Sequence, residues 1–407
     1  MKRLTALVAL PVAVVAAVVA ACTDPAAPDA SSRPAPTDPQ LAAAPTLPPT
    51  MGPSTQPMYI ADEYIVVLKD EVSDVGGEAA RLAAAHGATT HETYDAVLHG
   101  FSAHMNAAAA SAIARNPNVA YVEQDQVMTA DATQSPTPSW GLDRIDQHPL
   151  PLSNSYTYNT TASNVYAYII DTGIQTSHPD FGGRAAAVYD AFGGNGQDCN
   201  GHGTHVAGTV GGRTYGVAKL VHLRALRVLN CNGSGSVAGI ISALNWLATH
   251  HVNPAVANMS LGGGFSSSLN TASTNLVNSG VYLAVAAGNS NANACNYSPA
   301  SAAGVLTVAA STKTDAKASY SNYGSCVEIY APGSSITSDW LGGGINTISG
   351  TSMATPHATG VAALYKATFG NAAAATITSW IVNNATANVI IGNPVGTPNR
   401  LLYKAAL

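Results

Sequence analysis

Ser352 is the residue of this chain best placed for nucleophilic chemistry. It belongs to the segment Gly-Thr-Ser-Met-Ala-Thr-Pro at residues 350–356, which precedes an alanine-rich apolar run, so a helix is predicted to begin beside it. The first turn of a helix leaves backbone N–H groups unpaired and carries partial positive charge, which would stabilise an anion at this position. The alternative interpretation is a serine that only caps the helix.

Asp171 and His202 could activate this serine, because a hydroxyl needs a base and the base needs an orienting carboxylate. Asp171 directly follows the predicted strand 165–170, and His202 stands in a Gly-rich segment at a predicted helix start. By itself, Asp171 could instead cap a turn. His202 and His205 could form a metal-binding pair, but no acidic residue occurs between positions 199 and 314 to complete it. His205 is therefore interpreted as structural.

The order of these residues along the chain distinguishes two classes of serine hydrolase. The segment around Ser352 is one residue short of the nucleophile elbow of α/β-hydrolases, with Ala354 in place of the second glycine. That fold carries its acid and then its histidine after the serine, whereas only His357, and no Asp or Glu, follows Ser352 here. The acid must come from upstream, which is the order Asp, His, Ser found in subtilisin.

Charge is distributed unevenly along the 407 residues, which carry a formal net charge of −6. Residues 1–131 contain 14 acids and 6 bases, whereas residues 132–407 contain 9 acids and 11 bases. No cluster of basic residues occurs in the sequence, so nucleic-acid binding is not expected. An acidic front part and a faintly basic remainder suit a removable partner segment.

The amino-terminal 57 residues have the composition of an export signal followed by a spacer. Residues 1–22 combine a basic start with an apolar stretch interrupted by Pro11, which predicts a signal peptide and no stable membrane span. Val-Ala-Ala-Cys at 19–22 also resembles a bacterial lipobox, so the precursor could be lipid-anchored through Cys22. Ten prolines in residues 23–57 predict an extended Pro/Ala-rich linker.

Two folded modules are predicted after the linker. Residues 58–131 begin with a strand at 64–68 and end with one at 119–123, with alanine-rich helices between them, which indicates a small α+β domain. The remaining part, 132–407, alternates helices with near-continuous apolar strands. This pattern is typical of an α/β fold with a mostly parallel sheet covered by helices on both faces. The strands are predicted at 165–170, 221–229, 256–259, 281–286 and 305–309, and the clearest helix begins after an N-cap at Ser236.

Four cysteines remain besides Cys22. An even number in an exported chain predicts two disulfides, and three pairings are possible. A zinc site is disfavoured because no two of these cysteines have metal-ligand spacing. They are Cys199, Cys231, Cys295 and Cys326.

Three segments of the chain together carry a family resemblance. Asp-Thr-Gly at 171–173, His-Gly-Thr-His at 202–205 and the segment 350–356 resemble the three signature blocks of subtilisin-like serine proteases. Residues 140–147, 258–264 and 321–324 resemble the proteinase K branch of that family. The resemblance spans residue 132 to the carboxyl terminus, and residues 58–131 resemble, more weakly, the inhibitor-type propeptide of these enzymes.

The resemblance implies a role for each residue at the site. Ser352 would attack the scissile carbonyl, His202 would act as base and then acid, and Asp171 would orient the imidazole. Asn289, which alone would be interpreted as a turn residue, would stabilise the oxyanion with the Ser352 N–H. Two Gly-rich stretches, otherwise plain turns, would pair with a polypeptide substrate as added strands and give broad endopeptidase activity with an apolar or aromatic preference before the cut. They are Gly233-Ser234-Gly235 and Ser260-Leu261-Gly262.

The resemblance also implies disulfides and structural calcium, with no catalytic cofactor. It pairs Cys199 with Cys231 and Cys295 with Cys326. Hard oxygen ligands for one calcium site would come from Asp143, Asp146, Gln147 and Ser153, which could otherwise serve in capping and hydration. A second site would use Ala303, Val305 and Glu328, with Glu where the family has Asp.

Finally, the resemblance implies a maturation route for a secreted enzyme. The chain would cut itself near Ala130–Ala132, and its own propeptide would act first as folding chaperone and then as inhibitor. Any lipid on Cys22 would stay with the propeptide, so a monomeric catalytic domain would be released. A catalytically inactive subtilisin fold kept as a binding module is the alternative function.

Overall fold

The structure is a computed structural model that describes residues 59–95, 99–126 and 132–407. The predicted signal peptide, the Pro/Ala-rich linker and most of the predicted processing site lie outside these residues. Within the described part, no helix is long and apolar enough to cross a membrane.

The amino-terminal module is a four-stranded antiparallel sheet packed against two helices. Strand order is β2-β3-β1-β4, and Val66, Phe101, Leu82 and Ile113 are fully buried between the sheet and the helices. The module therefore buries one face of its sheet and has a small core of its own. Its elements are β1 Tyr59–Leu68, α1 Val75–His86, β2 Thr89–Tyr94, β3 Gly100–His104, α2 Ala107–Ile113 and β4 Val119–Gln126.

The carboxy-terminal module, from residue 132, alternates strands and helices along the chain. Its elements are β5 Ala132–Gln134, α3 Trp140–Asp146, β6 Tyr156–Tyr158, β7 Tyr166–Asp171, β8 Ala185–Asp190, α4 His202–Gly211, β9 His222–Arg227, α5 Val237–His250, β10 Ala255–Met259, β11 Gly263–Gly264, α6 Ser267–Asn278, β12 Tyr282–Ala286, β13 Tyr297–Ser298, β14 Leu306–Ser311, β15 Ile329–Pro332, β16 Ile336–Trp340, β17 Gly344–Ile348, α7 Thr351–Phe369, α8 Ala374–Asn384, β18 Thr386–Ala387 and β19 Arg400–Leu401. Short 3₁₀ turns at Pro179–Phe181, Ala294–Asn296 and Leu341–Gly343 join some of them.

The central sheet has nine strands in the order β18-β19-β15-β14-β12-β10-β7-β9-β8. Every neighbouring pair is parallel except β18 with β19. Alternate residues of β7 enter different cores: Ala167 and Ile169 pack with α4 and α7, whereas Tyr168 and Ile170 pack with α5 and α6. The prediction of a mostly parallel sheet covered on both faces is confirmed.

The predicted elements are present with shifted ends. The five strands predicted in this module correspond to β7, β9, β10, β12 and β14, with bounds that differ by at most two residues. Ser236 caps α5, since its Oγ accepts a hydrogen bond from Gly239 N at 3.0 Å. The sequence pattern did not reveal β8, because its Ala-Ala-Ala start favours helix and only pairing with β9 makes it a strand.

Two carboxyl groups, Asp180 from the Pro179–Phe181 turn and Asp339 from β16, meet beside Gly212 at the end of α4. A Cβ on Gly212 would lie 2.4 Å from Oδ2 of Asp180 and 2.8 Å from Oδ2 of Asp339, so both carboxyl groups converge there. Asp339 is fully buried, and neither of its oxygens accepts a hydrogen bond from a described N–H or O–H group. Burial, and then the charge of Asp180, raise the pKa of Asp339 to about 8, against the opposing effect of Arg184.

We therefore expect Asp339→Asn to stabilise the protein at alkaline pH. An unfolded Asp titrates near pH ~4, so the folded state holds more protons than the unfolded state between about pH 4 and pH 8. The free energy of unfolding falls as pH rises through that window, and the loss is complete above it. Asn mimics the protonated carboxyl, since its N–H can donate to Asp180.

Calorimetry of protein treated with a serine-directed inhibitor checks this expectation. The melting temperature of Asp339→Asn should exceed that of the natural protein at about pH 9, with a difference that shrinks toward about pH 5. Asp190→Asn is the control, because Asp190 accepts the N–H groups of Phe192 and Gly196 and its loss should destabilise at both pH values. If Asp339→Asn is no more stable than the natural protein at about pH 9, the Asp339 carboxyl does not destabilise the folded state there and the prediction is wrong.

Candidate active site

Asp171 and His202 meet where β7 ends and α4 begins. Asp171 is fully buried, and its Oδ1 lies 2.7 Å from Nδ1 of His202 and accepts the Thr172 N–H at 2.7 Å. Oδ2 is also buried and has no hydrogen-bond partner among the described residues. A carboxylate held in this way favours the tautomer of His202 that carries its proton on Nδ1 and leaves Nε2 free to accept one.

The pKa of His202 lies above the ordinary value of 6.5. Burial alone would lower it, but the charge of Asp171, the hydrogen bond to Asp171 and the charge of Asp198 together raise it by more. The imidazolium is therefore stabilised where a proton taken from a hydroxyl would have to reside.

Ser352 is the second residue of α7, and Gly350 is the N-cap, so the serine does not cap the helix. Its backbone N–H belongs to the first turn, where no intrahelical acceptor is available. Its Oγ donates to the carbonyl of Ser260 at 3.1 Å. Within the described residues, no hydrogen bond joins this Oγ to His202. If His202 is the base, the hydroxyl would have to turn from Ser260 to the imidazole, as is common in sites without substrate.

Ser260 ties one Gly-rich segment to the start of α7. Its Oγ donates to the carbonyl of Ser352 at 2.8 Å and accepts from Nδ2 of Asn258 at 2.8 Å. Asn258 is in turn anchored by Thr359, whose Oγ1 donates to Asn258 Oδ1 at 2.9 Å. Sequence reasoning used Asn258 only as part of a resemblance and missed Thr359, although a buried Asn inside an apolar strand is a signal that could have revealed this positioning role.

Asn289 is positioned by Thr351, the residue before Ser352. Its Oδ1 accepts both the N–H of Thr351 at 2.8 Å and the Thr351 hydroxyl at 2.9 Å. A Cβ on Gly350 would lie 3.6 Å from Asn289 Nδ2, so the two amide protons of Asn289 face the turn that carries Ser352. The side chain thus presents a donor beside the Ser352 N–H.

The turn that carries Asn289 depends on Gly288 and Asn322. Gly288 has φ of +100°, and a Cβ there would lie 2.4 Å from Nδ2 of Asn322, so a larger residue would be excluded. Asn322 donates to Ala287 O at 2.8 Å and accepts the N–H of Ser290 at 2.9 Å. Sequence reasoning used Asn322 only as part of a resemblance and missed this positioning role.

Two adjoining depressions flank these groups. One, of about 470 Å³, is lined by Thr172, His202, Gly233-Ser234-Gly235 and the segment 260–264. The other, of about 280 Å³, lies between residues 261–264 and 286–290 and reaches Ser352. No lining residue of the second depression is Asp, Glu, Lys or Arg, so a charged side chain that entered it would find no charged partner there.

The disulfides are the same two pairs that the resemblance implies. Cys199 is bonded to Cys231 and Cys295 to Cys326. The first joins the loop before α4 to the loop that leads into Gly233-Ser234-Gly235. It therefore couples the position of His202 to one wall of the larger depression.

The first set of predicted calcium ligands is brought together. Oδ1 of Asp143 accepts from both N and Oγ of Ser153, at 3.1 and 3.0 Å, and Gln147 Oε1 accepts the Ser153 N–H at 3.0 Å. The Gln147 amide also lies against the carbonyl oxygens of Pro149 and Pro151, which sequence reasoning missed. The oxygens form a hard donor set that fits calcium.

Asp146 differs from the other members of this set, because it pairs with Lys404 at 2.9 Å. It also accepts the N–H of Thr157 at 2.8 Å. Its charge is thus already balanced by a lysine. The described residues contain no group of three or more His, Cys, Asp or Glu arranged to hold a metal ion.

The second predicted calcium set is centred on Glu328. Burial raises the pKa of Glu328 to about 7, although its carboxylate accepts the N–H of Thr307. The carbonyl of Ala303 accepts the hydroxyl of Thr274 at 2.9 Å. The Glu328 carboxylate and the Ala303 carbonyl of this set therefore already accept hydrogen bonds from Thr307 and Thr274.

Comparison with known proteins gives the same assignment for both modules. The profile described as Subtilase family matches residues 162–401, and the profile described as Peptidase inhibitor I9 matches residues 63–131. The chain is 51% identical over 330 residues to an extracellular serine proteinase of Thermus sp., covering 80% of each chain. It is 44% identical over 376 residues to alkaline serine exoprotease A of Vibrio alginolyticus, covering 88% of this chain and 70% of that one.

A solved structure shares the fold. The crystal structure of a cold adapted subtilisin-like serine proteinase is 49% identical to this chain, with a TM-score of 0.65, and covers 67% of this chain and 100% of its own.

The imidazole of His202 should titrate above pH ~6.5 in an NMR experiment that follows its Cε1 proton. In Asp171→Asn the burial remains and the negative charge is gone, so the pKa should fall below the ordinary value. The resonance is assigned to His202 because it should disappear in His202→Gln. Asp190→Asn is the control, in which the pKa of His202 should be unchanged. A His202 pKa that is unchanged in Asp171→Asn would contradict the electrostatic argument.

Proposed function

The chain belongs to the subtilase family of serine proteinases, and from this premise we propose that it is an exported, self-processing endopeptidase of broad specificity. Asp171, His202 and Ser352 carry the reaction. The observation that most supports this proposal is the 2.7 Å contact between the buried Asp171 carboxylate and Nδ1 of His202, at the edge of the sheet where α7 presents Ser352.

In the first step Ser352 Oγ attacks the carbonyl carbon of the scissile peptide bond. Nε2 of His202 accepts the hydroxyl proton, and the Asp171 carboxylate stabilises the resulting imidazolium. The tetrahedral intermediate collapses as the C–N bond breaks, and the imidazolium gives its proton to the leaving amine. A water molecule, deprotonated by the same imidazole, then hydrolyses the acyl-enzyme and restores Ser352.

The oxyanion is bound by the Ser352 N–H and the side-chain amide of Asn289. The hydrogen bonds from Thr351 hold Asn289 Oδ1, so its Nδ2 is pre-oriented toward the turn before substrate arrives. A pre-oriented donor of this kind typically lowers the barrier by about 3 kcal/mol.

Substrate binds as an extended strand between Gly233-Ser234-Gly235 and Ser260-Leu261-Gly262. A Cβ on Gly235 would lie 2.1 Å from the carbonyl oxygen of Val228, so only glycine fits at position 235. Hydrogen bonds to the substrate main chain depend little on the substrate's amino-acid sequence, so this mode of binding gives broad specificity. The uncharged depression beside Ser352 favours an apolar or aromatic side chain before the cut.

The amino-terminal module acts as propeptide for its own catalytic domain. It matches the Peptidase inhibitor I9 family, and its cleavage near Ala130–Ala132 would leave a mature chain beginning at β5. That strand is already paired with β6 and held by Gln134, which accepts from Lys219 Nζ at 2.8 Å. We assign the protein to the extracellular space, where a lipid on Cys22 would remain with the propeptide and release the active domain.

Calcium binding at the first ligand set would stabilise the folded domain. Asp143, Gln147 and Ser153, with the carbonyls of Pro149 and Pro151, would hold the ion between α3 and β6, whereas Asp146 stays paired with Lys404. The ion is structural, since no step of the reaction involves it.

Casein hydrolysis by the purified mature protein tests the proposed activity. We expect hydrolysis that a serine-directed fluorophosphonate abolishes, with the label on Ser352. The Ser352→Ala precursor should be inactive and remain uncut, whereas Ser349→Ala, three residues earlier, should process normally. Activity insensitive to the reagent, or normal self-cleavage of Ser352→Ala, would overturn the assignment, and a folded but inactive natural protein would favour a binding module.

Calcium should raise the melting temperature of the inhibited mature protein. At a free concentration a hundredfold above the dissociation constant, a site that binds only the folded state adds about 2.7 kcal/mol. Asp143→Asn should remove most of this gain, and Glu328→Gln is the comparison variant for the second set. Retention of the full gain in Asp143→Asn, measured by thermal unfolding and equilibrium dialysis, would place the ion elsewhere.

A further inference from the structure

Asp198, four residues before His202, binds backbone and side-chain groups on both sides of the Asp171–His202 contact. Its Oδ1 accepts the hydroxyl of Thr172 at 2.9 Å and the N–H groups of Asn200 and Gly201 at 2.9 and 3.0 Å. Thr172 directly follows Asp171, and Gly201 directly precedes His202. One carboxylate oxygen therefore joins the end of β7 to the residues before α4.

The second oxygen of Asp198 binds the first turn of α4. Oδ2 accepts the N–H of Thr204 at 2.9 Å and the Thr204 hydroxyl at 2.6 Å. A carboxylate at a helix N-terminus satisfies unpaired N–H groups and interacts favourably with the helix dipole. The residues immediately before and after the His202–Gly203 pair are thus bound to the same side chain.

Thr172 extends this connection to the other side of His202. Its Oγ1 accepts the N–H of Gly203 at 2.9 Å while its own proton is donated to Asp198. A Cβ on Gly203 would lie 2.1 Å from the carbonyl of Gly173, which shows how closely β7 and α4 approach. A displacement of Asp198 would therefore move α4 relative to the strand that carries Asp171.

We propose that Asp198 is a positioning residue that holds the His202 imidazole against the Asp171 carboxylate and adds negative charge beside it. The proposal rests on the triad described under the proposed function. Asp198 does not contact substrate in this arrangement, and it acts through Thr172, Asn200 and α4.

The charged and titratable groups that face His202 are few. Asp171 from β7 and Asp198 from the preceding loop both stabilise the imidazolium, whereas burial lowers the pKa of His205 of α4 to about 4, so that His205 is uncharged where His202 titrates. Removal of the Asp198 charge should therefore lower the pKa of His202, whereas a purely structural loop residue would leave it in place.

Steady-state kinetics of Asp198→Asn with a synthetic peptide substrate tests the proposal. We expect kcat to fall about tenfold or more with KM changed much less, because a misplaced base affects the reaction more than substrate binding. The acid limb of the pH profile of kcat/KM should move to lower pH. Asp190→Asn is the matched control, since that carboxylate also accepts backbone N–H groups in the same loop but bonds neither Thr172 nor α4.

A second variant, Thr172→Val, keeps the proposal testable if Asp198→Asn does not fold. It removes one link between Asp198 and β7 but leaves the charge, so kcat should fall while the acid limb stays in place. A folded Asp198→Asn protein with unchanged kcat and acid limb overturns the proposal. If the triad itself were wrong, Ser352→Ala would retain activity, which distinguishes that failure from a failure of Asp198.

Discussion

The buried carboxylate of Asp171 is the constraint on which the site depends. A charge removed from water must be compensated by hydrogen bonds and an opposite or polarisable partner, and among the described residues Asp171 Oδ1 finds these partners in the Thr172 N–H and His202. This requirement determines where β7 must stop, since the carboxylate has to emerge at the sheet edge. It also determines where α4 must start, because His202 has to be its first residue.

The parallel sheet explains why the other groups arrive at the same place. In parallel sheets the carboxyl ends of the strands lie along one edge, and the loops that follow them meet there. Asp171 is the last residue of β7, Ser260 follows β10, and Asn289 follows β12, three strands that are neighbours in the order β12-β10-β7. Ser260 donates to the carbonyl of Ser352 and Asn289 accepts from the N–H of Thr351, and these two hydrogen bonds bring Ser352 to this edge.

Buried groups with unusual pKa values occur in the same module but away from this edge. Burial is the main reason that the pKa of Asp339 is raised to about 8 and that of Glu328 to about 7. Neither residue belongs to the proposed reaction. A raised pKa therefore does not by itself identify the active site here. What distinguishes His202 is a raised pKa combined with a buried carboxylate and with the proposed nucleophile Ser352 at the start of α7.

Much of the fold and the identity of Asp171, His202 and Ser352 could be predicted from the sequence, because continuous apolar strands and the order of the three residues are local or one-dimensional properties. The sequence could not show the β8 strand, the pairing of Asp180 with Asp339, or the five hydrogen bonds of Asp198. Those features depend on residues that are distant in the chain or on backbone geometry, and no spacing rule encodes them. The sequence by itself determined which residue types could perform the chemistry. Only the tertiary structure decided which partner each of these residues has, because burial and hydrogen-bond distances exist only once the sheet has brought its strand ends together.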